Sequence, residues 1–405
     1  MLKNITPSEA VEILLRQSVR LRREEVPLLC AWGRVLAEDM PAVRPVPPFD
    51  RSPYDGYALR SADTASASEN TPVTLQITEE IAAGALPAKE VGPGQAAKVL
   101  TGAPVPTGAD CVVKYELTRF TPRTVDICRP LFPGNIILTG EDMPAGTAAA
   151  AGGTIVNSGI LGVLAGQGYD RLPVWQRPRI AILSTGSELV EAGRPLPPGK
   201  IYNTNFHTLG GILREAGAIP ENAGTAPDDP AAIAEKLRRC CEASDMVLMT
   251  GGASVGDCDF ALEALKLAGG TPLFQGAGCR PGGAMLAGTV GEKLALCLSG
   301  NPGAAAAGLF RVGLPYIRKL CGRRDVRLPQ IRAALRRPFE KASPRTRLVW
   351  GRLLVEDGRA FFDAGAVQSG SGISSLAQCD LLAEISAGTP PLPAGALVTA
   401  YRIKE

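Results

Sequence analysis

The stretch that most constrains this chain is TGGASVGDCDF, residues 250–260. Before it, SDMVLMT (244–250) is a short apolar run of the kind that forms a buried strand. After it, FALEALKLAGG (260–270) has apolar residues at helical spacing and closes on a glycine pair. Gly251, Gly252 and Gly256 let backbone N–H groups approach a ligand, and the start of a helix favours an anion. Asp257 and Asp259 would repel that anion unless a cation sits between them. The residues leave two readings open. One is a metal-assisted site for a phosphate-like group, and the other is a tight strand-to-helix turn capped by Asp259.

The neighbouring sequence repeats the strand-to-helix rhythm. A strand over 180–184 ends in Thr185, Gly186, Ser187 and Glu188. A helix is predicted over 205–216 and a strand near 218–223; Asp228, Asp229 and Pro230 then open another helix with cap and proline in the usual order. KLALCLSG (293–300) is a last strand that turns through Asn301, Pro302 and Gly303. Alternating strands and helices predict a doubly wound, mostly parallel sheet with helices on both faces. Ligands of such sheets gather at the carboxyl ends of the strands, where the Glu188, Asp228, Asp259 and Asn301 loops converge.

With 405 residues, two to four domains are expected. Residues 6–17 carry a helix-start signal, and a second helix over 157–168 is expected to pack back on the first, giving one discontinuous domain. Pro41, Pro45, Pro47, Pro48 and Pro53 exclude regular structure over most of 41–60, and so long an irregular segment points to function. Short β-type runs broken by Gly and Pro between 73 and 128 predict a small all-β module around TGAPVPTGAD. After Arg323 basic residues crowd and short strands return, predicting a small β-barrel or sandwich.

Charge and rare residues exclude several classes. A formal net charge of +3 is too small to argue for nucleic acid. No apolar run spans a membrane and the N-terminus lacks a signal-peptide core, so a cytoplasmic protein with reduced cysteines is expected. His207 is the only histidine, which removes multi-His metal centres and argues against a His-based triad. Acid–base or metal work must therefore fall to carboxylates. Cys111 and Cys297 sit in apolar runs and read as small buried hydrophobes, whereas Cys258 and Cys279 lie near glycine-rich loops as candidate reactive thiols.

Eight stretches then occur in one order: PPFDRSPYDGYALR, TGAPVPTGAD, GEDMPAG, STGSEL, TGGASVGDCD, RPGG, SGNP and SGSG. With them the chain resembles the molybdopterin molybdotransferases, the MoeA family that also includes the gephyrin E-domain. The resemblance covers essentially the whole chain. It implies a multidomain α/β plus β protein and an elongated homodimer. Residues 1–45 with 147–176 would form a discontinuous linking domain and 46–146 a small β domain. Residues 177–322 would form a MogA-like α/β domain that binds molybdopterin, and 323–405 a C-terminal β-barrel. The implied reaction converts adenylylated molybdopterin and molybdate to molybdenum cofactor and AMP with Mg²⁺. Implied partners are the molybdopterin adenylyltransferase and recipient molybdoenzymes, with neither nucleic acid nor membrane.

The resemblance also implies site residues. Asp259 and Glu188 would bind the metal and act with Asp228 on the phosphate side. Asp55, Thr101 and Asp142 would be delivered by the partner protomer; turn chemistry is the alternative for these three, and helix capping for Asp259, Glu188 and above all Asp228. Gly251, Gly252, Ser254, Ser299, Asn301 and Pro302 would hold phosphate or pterin, Arg280 would bind anions, and Arg345 with Ser371 would place the dithiolene or molybdate. Departures concern the cations. Many members read K-P-G-K-P where this chain has RPGGA, with Gly283 for the second lysine and Ala284 for the proline. Gly276 and Trp350 stand where some members carry a lysine and an arginine, which shifts the load to Arg345, Arg347 and Arg352. Two alternatives to the insertase follow: a non-catalytic pterin- or nucleotide-binding carrier or scaffold, and a transferase that uses tungstate.

Overall fold

A computed structural model describes residues 1–252, 258–340, 342–364 and 372–404, with backbone alone at Cys258, Asp259 and Ser375. The chain divides into two compact units: residues 1–38, 152–157 and 171–405 form one, and residues 39–151 with 158–170 the other.

The first unit is built on a seven-stranded sheet in the order Leu2–Ile5, Thr271–Ala277, Met285–Val290, Lys293–Leu298, Met246–Thr250, Arg179–Thr185, Ile219–Ala226. The last four strands run parallel, as the alternation predicts. The other half is not the continuation of that pattern. Met285–Val290 runs antiparallel to both neighbours, and Leu2–Ile5 joins the edge parallel to Thr271–Ala277. These strands escape a periodicity reading because Gly276 and Gly288 interrupt their apolar runs and because Leu2–Ile5 is a mostly exposed edge.

Period-two patterning splits the strands between two cores. Ile180, Ile182, Met246, Leu248, Leu294 and Leu296 face one side. Ala181, Leu183, Val247, Met249, Ala295 and Cys297 face the other. Helices Pro230–Ala243 and Cys258–Leu267 cover the second core. Over the first lie Pro7–Leu15, Thr204–Glu215 and Pro302–Gly308, the last running through a π-helical turn into Leu314–Leu320. Helix Pro7–Leu15 starts with the capping box its sequence announces: Thr6 N donates to Glu9 Oε2 at 2.7 Å, and Glu9 N to Thr6 Oγ1 at 3.2 Å. Its Ala10 and Leu14 are buried in the α/β core. Helix Ser158–Gly166 belongs to the other unit.

Five strands after residue 330 close into a barrel: Thr346–Glu356, Arg359–Ala364, Gln330–Leu335, Leu397–Arg402 and Leu381–Ile385, the last pairing back on the first. Val349, Phe362, Leu381 and Ala383 fill its interior. Leu348, Trp350 and Leu382 alternate outward into the α/β core, where Trp350 meets Phe310 edge-on at 6.0 Å. Arg311, on the π-helical turn, donates from Nε to Glu384 Oε2 at 2.5 Å and from Nη2 to Ser8 Oγ at 2.8 Å, tying barrel, turn and first helix together. Trp350 is therefore part of the packing between barrel and α/β sheet.

The second unit holds a six-stranded sheet in the order Cys111–Lys114, Gly56–Leu59, Gln95–Val99, Val73–Ile81, Thr124–Ile127, Thr118–Phe120. These are the β-type runs read from the sequence, with Gly56–Leu59 added at the end of the proline-rich segment.

Candidate active site

The carboxyl ends of the parallel strands open on a cleft of about 930 Å³. Among the residues expected there, Glu188, Asp228, Gly251, Gly252, Ser299, Asn301 and Pro302 line it. Asp259 lies in the first turn of helix Cys258–Leu267, next to Phe260, which also lines the cleft. The side chain of Asp259 and all of Ser254 and Ser371 lie outside the described residues.

Glycine builds the cleft floor. Gly251 and Gly252 have φ of +98° and +65°, the left-handed region that glycine enters without strain. A Cβ on Gly251 would lie 2.3 Å from Thr185 Oγ1 and 2.6 Å from Thr185 O, and one on Gly300 would lie 3.4 Å from Gly251 Cα. Three strand-end loops thus meet backbone to backbone. Beneath them is a buried polar network. Asn203 Nδ2 donates to Ser184 Oγ at 3.1 Å, and Thr250 Oγ1 donates to the same oxygen at 3.4 Å. Asn203 also caps helix Thr204–Glu215, and Asn205 Nδ2 donates to Gly300 O at 2.8 Å. Asn203 and Asn205 were not among the expected residues. Their signal is an asparagine pair at a helix start, which reads first as capping.

The two cleft acids are uncommitted. Asp229, not Asp228, caps helix Pro230–Ala243, with Ala232 N donating to its Oδ1 at 2.7 Å. Asp228 and Glu188 are exposed, and their carboxylates have no hydrogen-bond or ion-pair partner among the described residues. Capping therefore does not account for Asp228. No group of three or more His, Cys, Asp or Glu forms a ready-made metal cage among the described residues. Mg²⁺ is commonly held by one or two carboxylates plus substrate phosphates, so two open carboxylates beside a glycine floor suit it.

The RPGG loop explains its own departures. Arg280 sits in a two-residue strand that pairs with Thr346 and Arg347; Arg280 and Arg345 are exposed there, whereas Arg347 is half-buried with its guanidinium over the Phe339 ring. Ala284, four residues on, lines the cleft. A Cβ on Gly283 would lie 2.1 Å from Cys279 O and 2.2 Å from Ala277 O, so a lysine there requires a different backbone. Gly276 has φ of +80°, and a Cβ there would meet Asn4 Oδ1 at 2.6 Å. Burial pushes the Cys279 thiol up to about 12, which argues against a reactive role.

Asp55, Thr101 and Asp142 lie in the second unit. Asp55 Oδ1 accepts from Thr101 N at 2.7 Å and from Thr101 Oγ1 at 2.8 Å. Those two donors hold its carboxyl below the ordinary aspartate value. Asp142 N donates to Val46 O at 3.0 Å, while its exposed carboxylate has no partner among the described residues.

Comparison with known proteins agrees along the chain. Residues 5–168 match the MoeA N-terminal region (domain I and II), and residues 181–319 match a family described as a probable molybdopterin binding domain. A Bacillus subtilis (strain 168) protein named molybdopterin molybdenumtransferase is 34% identical over 413 residues, covering 100% of this chain and 96% of its own length. One of the same name from Staphylococcus epidermidis is 33% identical, over 97% of this chain and 94% of its own. The crystal structure of a molybdopterin biosynthesis moeA protein from Pyrococcus horikoshii OT3 superposes with a TM-score of 0.85 at 30% identity, covering 98% of this chain and 100% of that one. The chain belongs to the molybdopterin molybdenumtransferase (MoeA) family.

Proposed function

We infer that this chain is a molybdenum insertase of molybdenum cofactor biosynthesis, a transferase acting on a molybdopterin substrate. The observation that carries the reading is the pairing, in one cleft, of two uncommitted carboxylates with a floor of close-packed glycine backbone. A phosphate-rich anion needs close backbone approach and charge neutralisation together; the glycines supply the first and the open carboxylates the means for the second.

The substrates proposed are adenylylated molybdopterin and molybdate, with AMP as the leaving product. The Gly252 amide donates to a phosphate oxygen, while Gly251, whose own N–H is given to Leu298 O at 3.2 Å, lets the anion approach the backbone closely, with Asn301 and Pro302 lining the same cleft. Ser299 Oγ already accepts from Asn301 N at 3.2 Å, which leaves its O–H proton to donate to the anion. Glu188 and Asp259 would hold Mg²⁺, with Asp228 beside them. When bound, the ion neutralises phosphate charge and polarises the anhydride. Arg280 and Arg345 offer cations to the oxyanion. We further propose a homodimer, in which the Asp55, Thr101 and Asp142 loops of one protomer complete its partner's catalytic set. Four domains at 1–45 with 147–176, 46–146, 177–322 and 323–405 go with that reading, as do a cytoplasmic location and handover to recipient molybdoenzymes. Among the described residues no helix is long and apolar enough to cross a membrane.

The test is AMP release from adenylylated molybdopterin with Mg²⁺, with and without molybdate. Molybdate-dependent release supports the insertase. Release with tungstate alone points to the tungstate transferase, and tight binding without release under either oxyanion points to a carrier. Asp259→Ala should abolish turnover while the protein stays folded. Near-normal insertion by that variant would remove Asp259 from the site.

A further inference from the structure

The proline-rich segment that ends at Asp55 holds two loops by the same construction. Asp50 Oδ1 accepts from Thr139 N at 2.7 Å and from Thr139 Oγ1 at 2.8 Å, repeating the Asp55–Thr101 geometry. Each threonine stands between a leucine and a left-handed glycine: Leu100-Thr101-Gly102, with φ of +82°, and Leu138-Thr139-Gly140, with φ of +73°. On one side of the segment, Ser52 N donates to Ala103 O at 2.9 Å and Gly102 N to Ser52 O at 2.8 Å. On the other, Arg51 and Ile137 exchange backbone bonds of 2.9 and 3.0 Å. The first threonine is itself an assigned site residue. The second leads within three residues to Asp142.

We propose that Asp50 and Thr139 are positioning residues for Asp142, forming a second copy of the Asp55–Thr101 clamp. The inference rests on the role given to Asp142 above. The turn carrying Asp142 is held by backbone bonds to the proline-rich segment, Gly140 N to Pro47 O at 3.0 Å and Asp142 N and Met143 N to Val46 O at 3.0 and 3.1 Å, and within itself by Leu138 N to Glu141 Oε2 at 2.9 Å. At its entry the clamp adds the one side-chain contact that joins Thr139 to that segment. One carboxylate oxygen that takes both protons of a threonine fixes backbone and side chain together, and bonds to an ionised acceptor are the stronger kind. Both residues are exposed, so the clamp orients a loop and does not support a core.

The test compares Thr139→Val, Thr139→Ser, Asp50→Ala and Asp142→Asn in the full chain, reading kcat and KM for AMP release, thermal melts, and hydrogen exchange at amides 140–142. Thr139→Val and Asp50→Ala should each lower kcat about tenfold with KM nearly unchanged, since a misplaced group costs rate more than binding. Exchange at amides 140–142 should speed up in both, and Thr139→Ser should restore kcat and exchange. Wild-type kcat in folded Thr139→Val and Asp50→Ala, with Asp142→Asn inactive, overturns the inference alone. Wild-type kcat in Asp142→Asn overturns the role of Asp142 and this inference with it.

Discussion

The acids of the two units are used in opposite ways. In the α/β cleft, Glu188 and Asp228 are exposed and uncommitted among the described residues. In the β unit, acids serve as staples. Asp50 and Asp55 each take both donors of a threonine, and Asp110 takes Ser61 N at 2.7 Å and Ser61 Oγ at 2.9 Å. A carboxylate that accepts an N–H and an O–H from one residue is fixed in orientation, although at Asp50 and Asp55 both donors go to Oδ1. An uncommitted carboxylate is not fixed in this way. The contrast fits the proposed roles: ion and phosphate chemistry for the cleft acids, loop placement for Asp50 and Asp110, and for Asp55 and Asp142 a carboxylate on a loop that is itself held in place.

The largest expected effect tests the uncommitted side. Glu188→Gln and Asp228→Asn should each cut kcat/KM for AMP release on the order of a hundredfold, as loss of metal-site groups does, with Tm unchanged because neither holds a partner. Activity within twofold of wild type in both would break the comparison. Gly251→Ala comes next, since its Cβ would strike Thr185 and its φ is left-handed. It should cost about 2 kcal/mol of stability, seen in denaturant melts, together with most of the activity.

A smaller effect sharpens the staple side. Thr101→Val removes one donor to Asp55, so the Asp55 carboxyl should titrate closer to the ordinary aspartate value in a carbon-13 NMR titration. Because the folded value is the depressed one, the clamp's contribution is present above the ordinary aspartate pKa and is lost as pH falls through the folded value. The loop therefore stays closed at neutral pH and opens only in acid, and the variant should open at a higher pH than wild type. Smallest of all, a thiol reagent should label exposed Cys30 and leave buried Cys279 untouched, as mass spectrometry would show, with activity unaffected.

Much of this was legible along the chain because local signals agreed with the final packing. Thr6, Pro7 and Glu9 announce a helix that begins there, and the apolar runs at 180, 246 and 294 are strands whose alternate residues fill two cores. The cleft was legible because strand ends in a parallel sheet must converge. Other features were not. Whether Asp228 or Asp229 caps a helix depends on one backbone turn, and adjacent aspartates look alike in sequence. Asn203 and Asn205 carry the signature of a cap, and only the approach of buried Ser184 and of the Gly300 carbonyl shows what else they hold. The match between Asp50 and Thr139 spans 89 positions, and no local pattern links residues so far apart.

Sequence alone determined the alternation of strands and helices, that no multi-histidine metal centre can form within the chain, the barrel texture of the tail and the family. Each is written in residue type and short-range order, where propensity and periodicity act. Only the tertiary structure decided which carboxylates are free and which are stapled. It also decided that Leu2–Ile5 completes the sheet edge, that Trp350 is core, and that Gly283 has room for no side chain. Those outcomes depend on which distant atoms come within a few ångströms, and the sequence encodes such contacts only through the whole fold.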